Sequence, residues 1–410
     1  MKTHVYIFSE SYQAEAYGIG TYIQSIKSIF IKNDKYILNI IHVSSNYSEC
    51  CVKYSDKNVI EYYIPDSFYR FNKNTEKAYY RNIWYILVSY VEICKQKKSI
   101  FIFNYYKDIY IIKKIKERLK NSYVIFTIHY QNWCFLLKGN LDYYESIIKN
   151  IQCVKNKLDK DLLDSFLMEK YVYENVDKII CLCEYTKNIL HKLYNIEKKK
   201  IVLIYNGLSP NIKKMCKYDK IVYRNKIGIK RNKMLILFVG RLDEIKGVDI
   251  LLEAFCKLEN TNKYHLLIAG NGDYNKYLKL TNMRTNISFL GFLEKDKLYK
   301  LYQICDIGIM LSFHEQCSYV AIEFMMHGVP LIYSTSTGLK EMAQGVSIPV
   351  IKKDDTCFIK PENVKKAILY LSDKSVRNRF SIKSRTSYSN KYTLSRMEHS
   401  ICNLFDKFNY

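Results

Sequence analysis

Residues 235–255 of the chain read LILFVGRLDEIKGVDILLEAF. The apolar run Leu235–Val239 has the character of a buried strand, a polar turn follows it, and apolar residues then recur with helical spacing from about 247 to 260. A strand that leads through a short turn into a helix is the repeating unit of parallel α/β sheets. The stretch therefore predicts an α/β fold.

The same alternation continues in both directions along the chain. Further strands are predicted from short β-branched and aromatic runs, at Val5–Phe8, Ile37–Val43, Ile100–Phe103, Val124–Ile128, Lys178–Leu182, Ile201–Ile204, His265–Ala269, Ile287–Leu290, Ile307–Leu311 and Val329–Ile332. Helices are predicted between them, at about 20–32, 76–97, 108–120, 140–175 and 318–327. This pattern predicts two doubly wound, Rossmann-like domains, an N-terminal one over 1–207 and a second over 208–387, with the boundary near the Lys-rich stretch at 206–230.

Length and composition agree with two folded domains. The chain has 410 residues, of which 48% are hydrophobic and 25% charged, and this excludes disordered and collagen-like classes. The formal net charge is +24. The lysines are spread along the chain without a separate basic tail, so the charge is explained either by abundant surface lysine or by attraction to anionic membrane surfaces and acidic ligands.

Cysteine usage and the N-terminus bear on the compartment. The 13 cysteines are scattered, and their spacing is typical of neither a zinc site nor a disulfide framework. The first apolar run breaks at Ser9-Glu10, and no apolar run approaches the ~18 residues of a membrane span. We therefore expect a cytoplasmic protein that contacts the membrane at most peripherally.

Glycines are few and unevenly placed. Of 14 glycines, 11 fall between Gly207 and Gly345, and several of these follow predicted strands. Ligands of open α/β sheets bind outside the carboxyl ends of the strands. Glycines at those ends indicate tight turns or close approach of backbone to a ligand.

The turn after Val239 carries two cations, Arg241 and Lys246, separated by four residues. They can converge on one anion, such as a diphosphate, at the start of the following helix. The alternative is a surface turn whose cations pair with Asp243 and Glu244.

A second motif, Glu-Gln-Cys-Ser-Tyr-Val-Ala-Ile-Glu, spans residues 315–323 between a strand and a helix. If the helix begins near Ser318, Glu315 stays on the loop and Glu323 lies in the first turns, facing the same cleft. One carboxylate could bind sugar hydroxyls and the other a ribose. Two solvated carboxylates are the alternative, but the helix is otherwise apolar and would bury Glu323 at a cost unless it has partners.

These motifs, in this order, resemble the family-4 retaining glycosyltransferases of GT-B fold. The resemblance covers about 200–345 and rests on the runs FVGRLDEIKGVDILLEAF, LLIAGNGD, ISFLGFLEKDKL and CDIGIMLSFHEQCSYVAIEFMMHGVPLI. In the N-terminal half it rests on Tyr17–Tyr22, similar to the family's glycine loop, and on the stretch from Glu169 to Leu208. It implies two domains that face an interdomain cleft, with residues 388–410 packing back on the first domain.

The resemblance also implies roles for single residues. Arg241 and Lys246 would bind the donor diphosphate, Glu323 the ribose, and Glu315 and His129 the donor sugar. Further donor-binding positions implied by the family are Gly18, Gly20, Gly240, Gly270, Gly272, Phe292, Cys317, Ser318 and Tyr319. One departure concerns the donor: Gln316 and Cys317 stand where the family usually has a glycine and an aromatic residue.

The implied reaction is transfer of a sugar from a nucleotide diphosphate sugar to an acceptor hydroxyl on a glycan, a lipid-linked acceptor or a peptide. The family precedent is front-face displacement without a metal or other cofactor. The Asp-x-Asp element Asp159-Lys160-Asp161, which a metal-dependent class would need at a strand end, lies in a polar helical segment and is interpreted as a solvated helix face. Trp133, four residues after His129, could stack on a sugar or pack in a core.

Three alternatives stay open at this point. A dinucleotide-dependent oxidoreductase shares the fold class, but Gly270-Asn271-Gly272 lacks the third glycine of that fingerprint. A basic module that binds nucleic acid would use Lys and Tyr without turnover, and the sequence predicts no specific nucleic-acid site. An epimerase or hydrolase of nucleotide sugars would keep the GT-B fold and change the reaction.

Overall fold

The structure is a computed structural model that describes residues 2–10, 18–66, 73–95, 98–150, 152, 154–210, 213–260 and 262–408. It divides into two compact units. The first comprises Met1–His129, Gln152–Asn206 and Leu394–Tyr410, and the second comprises Tyr130–Ile151 and Gly207–Thr393. Each unit has its own sheet.

The sheet of the first unit has eight strands among the described residues, in the order β3-β4-β2-β1-β5-β6-β7-β8. Their bounds are β1 Thr3–Glu10, β2 Tyr36–Ser45, β3 Cys51–Asp56, β4 Val59–Pro65, β5 Ser99–Phe103, β6 Ser122–Ile128, β7 Lys178–Cys181 and β8 Ile201–Leu203. All neighbours pair in parallel except β3 and β4, which pair antiparallel. The sequence predicted the other six strands and missed β3 and β4. Strand β3 lies at the edge of the sheet and has no buried residue, whereas β4 lies between β3 and β2 and alternates between buried and partly buried residues.

The sheet of the second unit has six parallel strands in the order β11-β10-β9-β12-β13-β14. Their bounds are β9 Met234–Val239, β10 Tyr264–Ala269, β11 Ile287–Gly291, β12 Ile307–Met310, β13 Leu331–Ser334 and β14 Gly345–Ile348, and a separate hairpin joins β15 Ile351–Lys353 to β16 Thr356–Phe358. From β9 the chain moves to β10 on one side, and β12 lies on the other. The strand order therefore reverses between β9 and β12, which is where ligands of such sheets bind.

Sixteen α-helices connect and cover the strands of the described chain. They are α1 Gly18–Ile31, α2 Lys73–Ser89, α3 Ile109–Arg118, α4 Asn132–Leu136, α5 Leu141–Lys149, α6 Lys157–Asn175, α7 Glu184–Lys192, α8 Lys217–Lys226, α9 Val248–Cys256, α10 Tyr274–Lys279, α11 Lys295–Ile304, α12 Tyr319–His327, α13 Leu339–Met342, α14 Pro361–Tyr370, α15 Lys374–Lys391 and α16 Leu394–Asp406. No described helix is both long and apolar enough to span a bilayer.

The predicted helix at 140–175 is two helices, α5 and α6, separated where Asn156 starts a new helix. Asn156 and Asp159 form a capping box, in which the Asn156 side chain accepts from the Asp159 N–H at 2.9 Å and the Asp159 carboxylate accepts from the Asn156 N–H at 3.3 Å. Asp159 is buried. The interpretation of Asp159 as part of a solvated face was therefore wrong, because its carboxylate satisfies the start of α6.

Residues 130–151 leave the first unit and pack with the second, although the sequence prediction placed them in the N-terminal domain. The Asn140 side chain donates to the carbonyl oxygens of Asp354 at 2.9 Å and Thr356 at 3.2 Å, and Lys352 pairs with Asp142 at 2.6 Å. These bonds join segments more than 200 residues apart.

The C-terminal helix α16 belongs to the first unit. Phe405 packs against Phe30 and Tyr36, with ring centroids 5.9 and 5.6 Å apart, and the Tyr36 hydroxyl donates to Asp406 at 3.2 Å. The chain thus ends on the unit in which it began.

Candidate active site

The loop that follows β9 holds both predicted cations, but each has its own carboxylate partner. The Asp243 carboxylate accepts from the Lys246 N–H at 2.9 Å and pairs with the Arg241 guanidinium at 3.0 Å. The Lys246 ammonium instead reaches Glu315 on the β12 loop, with Nζ and Oε1 2.5 Å apart. The pairing of Arg241 with Asp243 is the surface-turn alternative, whereas Lys246 joins the two strand ends at which the sheet order reverses.

Glu315 is held firmly on its loop. Its Oε1 also accepts from the Ser312 hydroxyl at 3.0 Å, and its backbone N–H donates to the Thr337 hydroxyl at 2.9 Å. Its side chain is 13% exposed. The arrangement keeps one carboxylate and one ammonium in contact with each other beyond the carboxyl ends of the central strands β9 and β12.

A small cavity lies at this point of the second unit. It is lined by Gly240, Lys246, Ser312, Glu315 and Ser318, together with apolar side chains of β9, β12 and α12. Four of these residues, Gly240, Lys246, Glu315 and Ser318, were predicted as site residues from the sequence, and Ser312 was not. All five line the same cavity. Arg241 and Glu323 do not line the cavity.

Helix α12 begins as its sequence predicted. The Ser318 hydroxyl caps it by accepting from the Ala321 N–H at 3.5 Å. Cys317 and Tyr319, on either side of Ser318, are buried.

Glu323 is fully buried on α12 and has two partners from α11. Its Oε2 accepts from the Tyr302 hydroxyl at 2.7 Å, and its Oε1 pairs with the Lys295 ammonium. Burial and the adjacent Glu323 carboxylate raise the pKa of the Tyr302 phenol well above its usual range, so Tyr302 remains a donor. The structure thus separates the two acids: Glu315 lines the cavity and Glu323 lies beneath α11.

Gly270 and Gly272 have a packing explanation within the second unit. A Cβ at Gly270 would lie 1.8 Å from the carbonyl oxygen of Gly240, and a Cβ at Gly272 would lie 2.4 Å from that of Leu242. The loops after β9 and β10 can therefore touch only because both positions are glycine. The sequence predicted a tight turn or close approach of the backbone to a ligand at these glycines, and the structure shows a close approach between two loops.

Phe292 follows β11 and is 53% exposed. Its N–H donates to the Asn271 side chain at 3.1 Å, which ties the loop after β11 to the loop after β10. An aromatic ring held at the surface beside a strand end is suited to stacking on a flat ligand group.

In the first unit, His129 follows β6 and is held by two neighbours. Its Nε2 donates to the Asn104 carbonyl oxygen at 2.9 Å, and its ring meets Tyr22 edge-on with centroids 4.7 Å apart. Burial lowers the pKa of His129 to about 3, so the ring is neutral at physiological pH. An uncharged imidazole with one ring nitrogen already engaged can offer the other, Nδ1, to a ligand.

The remaining predictions in this part of the chain concern the glycine loop and Trp133. Gly18 and Gly20 lie in the first turn of α1, whereas Tyr17 falls outside the described residues. Trp133 is fully buried and stacks on Tyr144 with centroids 4.8 Å apart in the second unit. Trp133 is therefore a core residue, since no face of its ring is open to a sugar.

Sequence reasoning missed three residues of this region: Ser312, Lys295 and His314. Ser312 and His314 stand within the quoted run around Glu315, so their position was a usable signal. Lys295 carries no signal of its own, because only the fold brings α11 to Glu323. Among the described residues, no group of three or more His, Cys, Asp or Glu side chains is placed to hold a metal ion.

Two family models match this chain. The family model Glycosyltransferase Family 4 matches residues 100–211, and Glycosyl transferases group 1 matches residues 219–386. The chain is 34% identical to an uncharacterized glycosyltransferase of Methanocaldococcus jannaschii over 172 residues, 40% of this chain and 44% of that protein. It is 25% identical to the D-inositol 3-phosphate glycosyltransferase of Mycolicibacterium smegmatis over 197 residues, 46% of this chain and 44% of that protein. The matched region spans about half the length of these curated relatives.

Solved structures match over the whole chain. Sucrose-phosphate synthase from Thermosynechococcus elongatus has a TM-score of 0.78 at 15% identity, covering 99% of each chain. Anabaena HepE in complex with UDP and glucose has a TM-score of 0.68 at 12% identity, covering 98% of this chain and 99% of that chain. These likenesses establish the fold, and the two family models together match most of the chain from residue 100 to residue 386. The chain therefore belongs to the family-4, group 1 glycosyltransferases and has the GT-B fold.

Proposed function

We propose that the protein transfers a sugar from a nucleotide diphosphate sugar to an acceptor hydroxyl, with retention of anomeric configuration and without a metal ion. The observation that carries the proposal is the contact of Lys246 with Glu315, 2.5 Å apart where the strand order of the second sheet reverses. A cation and a carboxylate at this position suit the two halves of a nucleotide sugar, an anionic diphosphate and a neutral sugar rich in hydroxyls.

The donor class is supported by the solved structures. Anabaena HepE is described in complex with UDP, with UDP and glucose, and with UDP-glucose. In our chain Lys246 would donate to the diphosphate, and Arg241, whose side chain is 45% exposed, would turn from Asp243 to the same group. Glu315 would accept from the sugar hydroxyls.

The proposed reaction breaks the bond between C1 of the sugar and the diphosphate oxygen, and the electron pair leaves with the diphosphate. The acceptor oxygen bonds C1 on the same face, and its proton passes to the departing phosphate. Lys246 and Arg241 stabilise the charge that develops on the leaving group, so the reaction needs no divalent cation. Glu323 would contribute through the ribose, and His129 would contact the sugar from the first unit.

The test is turnover of a panel of UDP-, GDP- and ADP-sugars by the purified full-length protein, followed by release of the nucleoside diphosphate. We expect one member to be consumed, with unchanged rate in EDTA. Nuclear magnetic resonance of the glycosylated product should show the anomeric configuration of the donor. Absence of turnover across the panel overturns the function, inversion overturns the retaining mechanism, and loss of activity in EDTA overturns metal independence. Recovery of an epimerised or merely hydrolysed sugar in the presence of acceptors would assign the reaction to the alternative class.

A further inference from the structure

His314 is a buried imidazole without a protein partner beside the candidate active site. The residue is 5% exposed. Neither Nδ1 nor Nε2 has a hydrogen-bond partner among the described residues. Folding removes both nitrogens from water without replacing their hydrogen bonds, and such groups are rare in native structures because they destabilise the fold. An arrangement of this kind calls for an explanation other than stability.

The surroundings of His314 place it with the donor-binding machinery. It lies on the β12 loop between Ser312 and Glu315, which bind each other through their side chains at 3.0 Å. Its ring meets Phe135 of α4 edge-on, with centroids 5.7 Å apart. Phe135 is itself 38% exposed, so one neighbour of the imidazole borders solvent.

The protonation state limits the kind of ligand. Burial lowers the pKa of His314 to about 4; the Lys246 charge acts in the same direction and the Glu315 charge opposes it. The ring is therefore neutral at pH 7 and offers one N–H donor and one bare nitrogen acceptor. A phosphate oxygen can only accept and would satisfy the donor alone. A sugar hydroxyl can donate as well as accept, so sugar hydroxyls can satisfy both nitrogens.

We propose that His314 hydrogen-bonds a hydroxyl group of the donor sugar, next to the contact made by Glu315, and thereby contributes to the choice of that sugar. The proposal rests on the proposed function, because it requires a nucleotide sugar at the Lys246–Glu315 site. It assigns His314 to the sugar and leaves the diphosphate to Lys246 and Arg241. The two ligand halves should therefore respond differently when the imidazole is removed.

The decisive variant is His314→Phe. It keeps a planar ring against Phe135 and removes both nitrogens, and replacing an unsatisfied polar group by an apolar one of similar shape leaves stability unchanged or higher. Calorimetry would compare two ligands on the wild type and the variant: the nucleotide sugar that the wild type turns over in the panel, and the corresponding nucleoside diphosphate alone. We expect affinity for the nucleotide sugar to fall about 10-fold or more and affinity for the diphosphate to stay within about two-fold.

The matched control is His265→Gln. His265 lies on β10 of the same unit and bonds the Ser288 hydroxyl at 2.9 Å, away from the cavity, so both affinities should be unchanged. Unchanged binding of the nucleotide sugar by His314→Phe overturns the proposal, and so does an equal loss for both ligands, which indicates a structural role. If His314→Phe does not fold, the same two affinities are measured with His314→Ala. A wild type that neither binds nor turns over any member of the panel overturns the proposed function itself.

Discussion

The two glutamates of the Glu-x7-Glu motif lie eight residues apart and have opposite environments. Glu315 is on a loop, lines a cavity and contacts Lys246, whose side chain is 22% exposed. Glu323 is fully buried on α12, between Tyr302 and Lys295. One motif therefore contains a carboxylate that lines a cavity and another that is enclosed by its neighbours in the fold.

The largest effect is expected at Lys246, the partner of the acid that lines the cavity. Lys246→Ala should lower the rate of sugar transfer about 10²–10³-fold, equivalent to about 3–4 kcal/mol, because the charge on the leaving diphosphate loses a donor. Lys276→Ala is the control: Lys276 pairs at the surface with Glu244, 2.7 Å away, on the same loop as Lys246. Initial rates of the control should stay within about two-fold of the wild type. Equal losses of initial rate in Lys246→Ala and Lys276→Ala would show that a lysine in the cavity matters no more than one at the surface. The proposed role of Lys246 would then be wrong.

The next effect concerns pH and the histidine beside Glu315. Because the pKa of His314 is about 4 in the folded protein and near 6.5 in the unfolded chain, the unfolded state binds the proton first as pH falls. The stability that the neutral His314 ring contributes is fully present above about pH 6.5. It is lost as pH falls from 6.5 to 4, and the free energy of unfolding then decreases by up to about 3 kcal/mol. The free energies of unfolding of wild type and His314→Phe, measured with urea, should therefore change differently with pH. As pH falls from 7 through this window, the wild type should lose stability that the variant keeps. Parallel pH profiles would contradict the burial of the ring, since the two proteins differ only in this side chain.

A smaller effect is expected for the buried acid. Glu323→Gln should lower the free energy of unfolding by about 2 kcal/mol, because the hydrogen bond from Tyr302 and the contact with Lys295 lose their charged acceptor. Glu315→Gln, whose carboxylate is partly exposed, should lower it by less than about 1 kcal/mol. Urea unfolding measures both. Calorimetry with the nucleoside diphosphate should also show weaker binding by Glu323→Gln; a variant with wild-type stability and wild-type nucleotide affinity would remove both roles of Glu323.

The smallest effect tests the partner of Glu323 alone. Tyr302→Phe removes the hydroxyl that donates to Glu323 at 2.7 Å and should destabilise the protein by about 1 kcal/mol. Tyr299→Phe, one helical turn away on α11, is the control and should change stability by less than about 0.5 kcal/mol. Equal thermal midpoints for the two variants would show that the hydroxyl of Tyr302 does not support the buried carboxylate.

Much of the fold was predictable because it is encoded locally. The parallel strands are continuous apolar runs, and Ser318 marks the start of α12 as an N-cap. The strands β3, β4 and β14 were missed, since β3 mixes polar and apolar residues, Glu61 interrupts the apolar run of β4, and β14 is short and contains Ser347. The break at Asn156 was also missed, because the capping box can be recognised only once the segments on both sides are known to be helical.

The candidate site divides in the same way. Glu315, Lys246 and Ser318 were predicted and line one cavity. Arg241 was predicted to bind the diphosphate, with pairing to Asp243 as the alternative, and in the structure its guanidinium pairs with Asp243, two residues away. The sequence placed His314 next to Glu315 but could not show that its ring nitrogens lack hydrogen-bond partners among the described residues, nor that Lys295 meets Glu323, because neither spacing nor residue type reveals which side chain another element will cover.

The amino-acid sequence alone determined the alternation of strands and helices, the two doubly wound domains and the pair of acids eight residues apart, because hydrophobic period and capping act over a few neighbouring residues. Only the tertiary structure decided that residues 130–151 pack with the second unit, that Lys246 meets a carboxylate 69 residues away, and that Lys295 meets one 28 residues away. Those contacts depend on where entire elements pack, and burial then decides which charged groups face a ligand and which are held inside the fold.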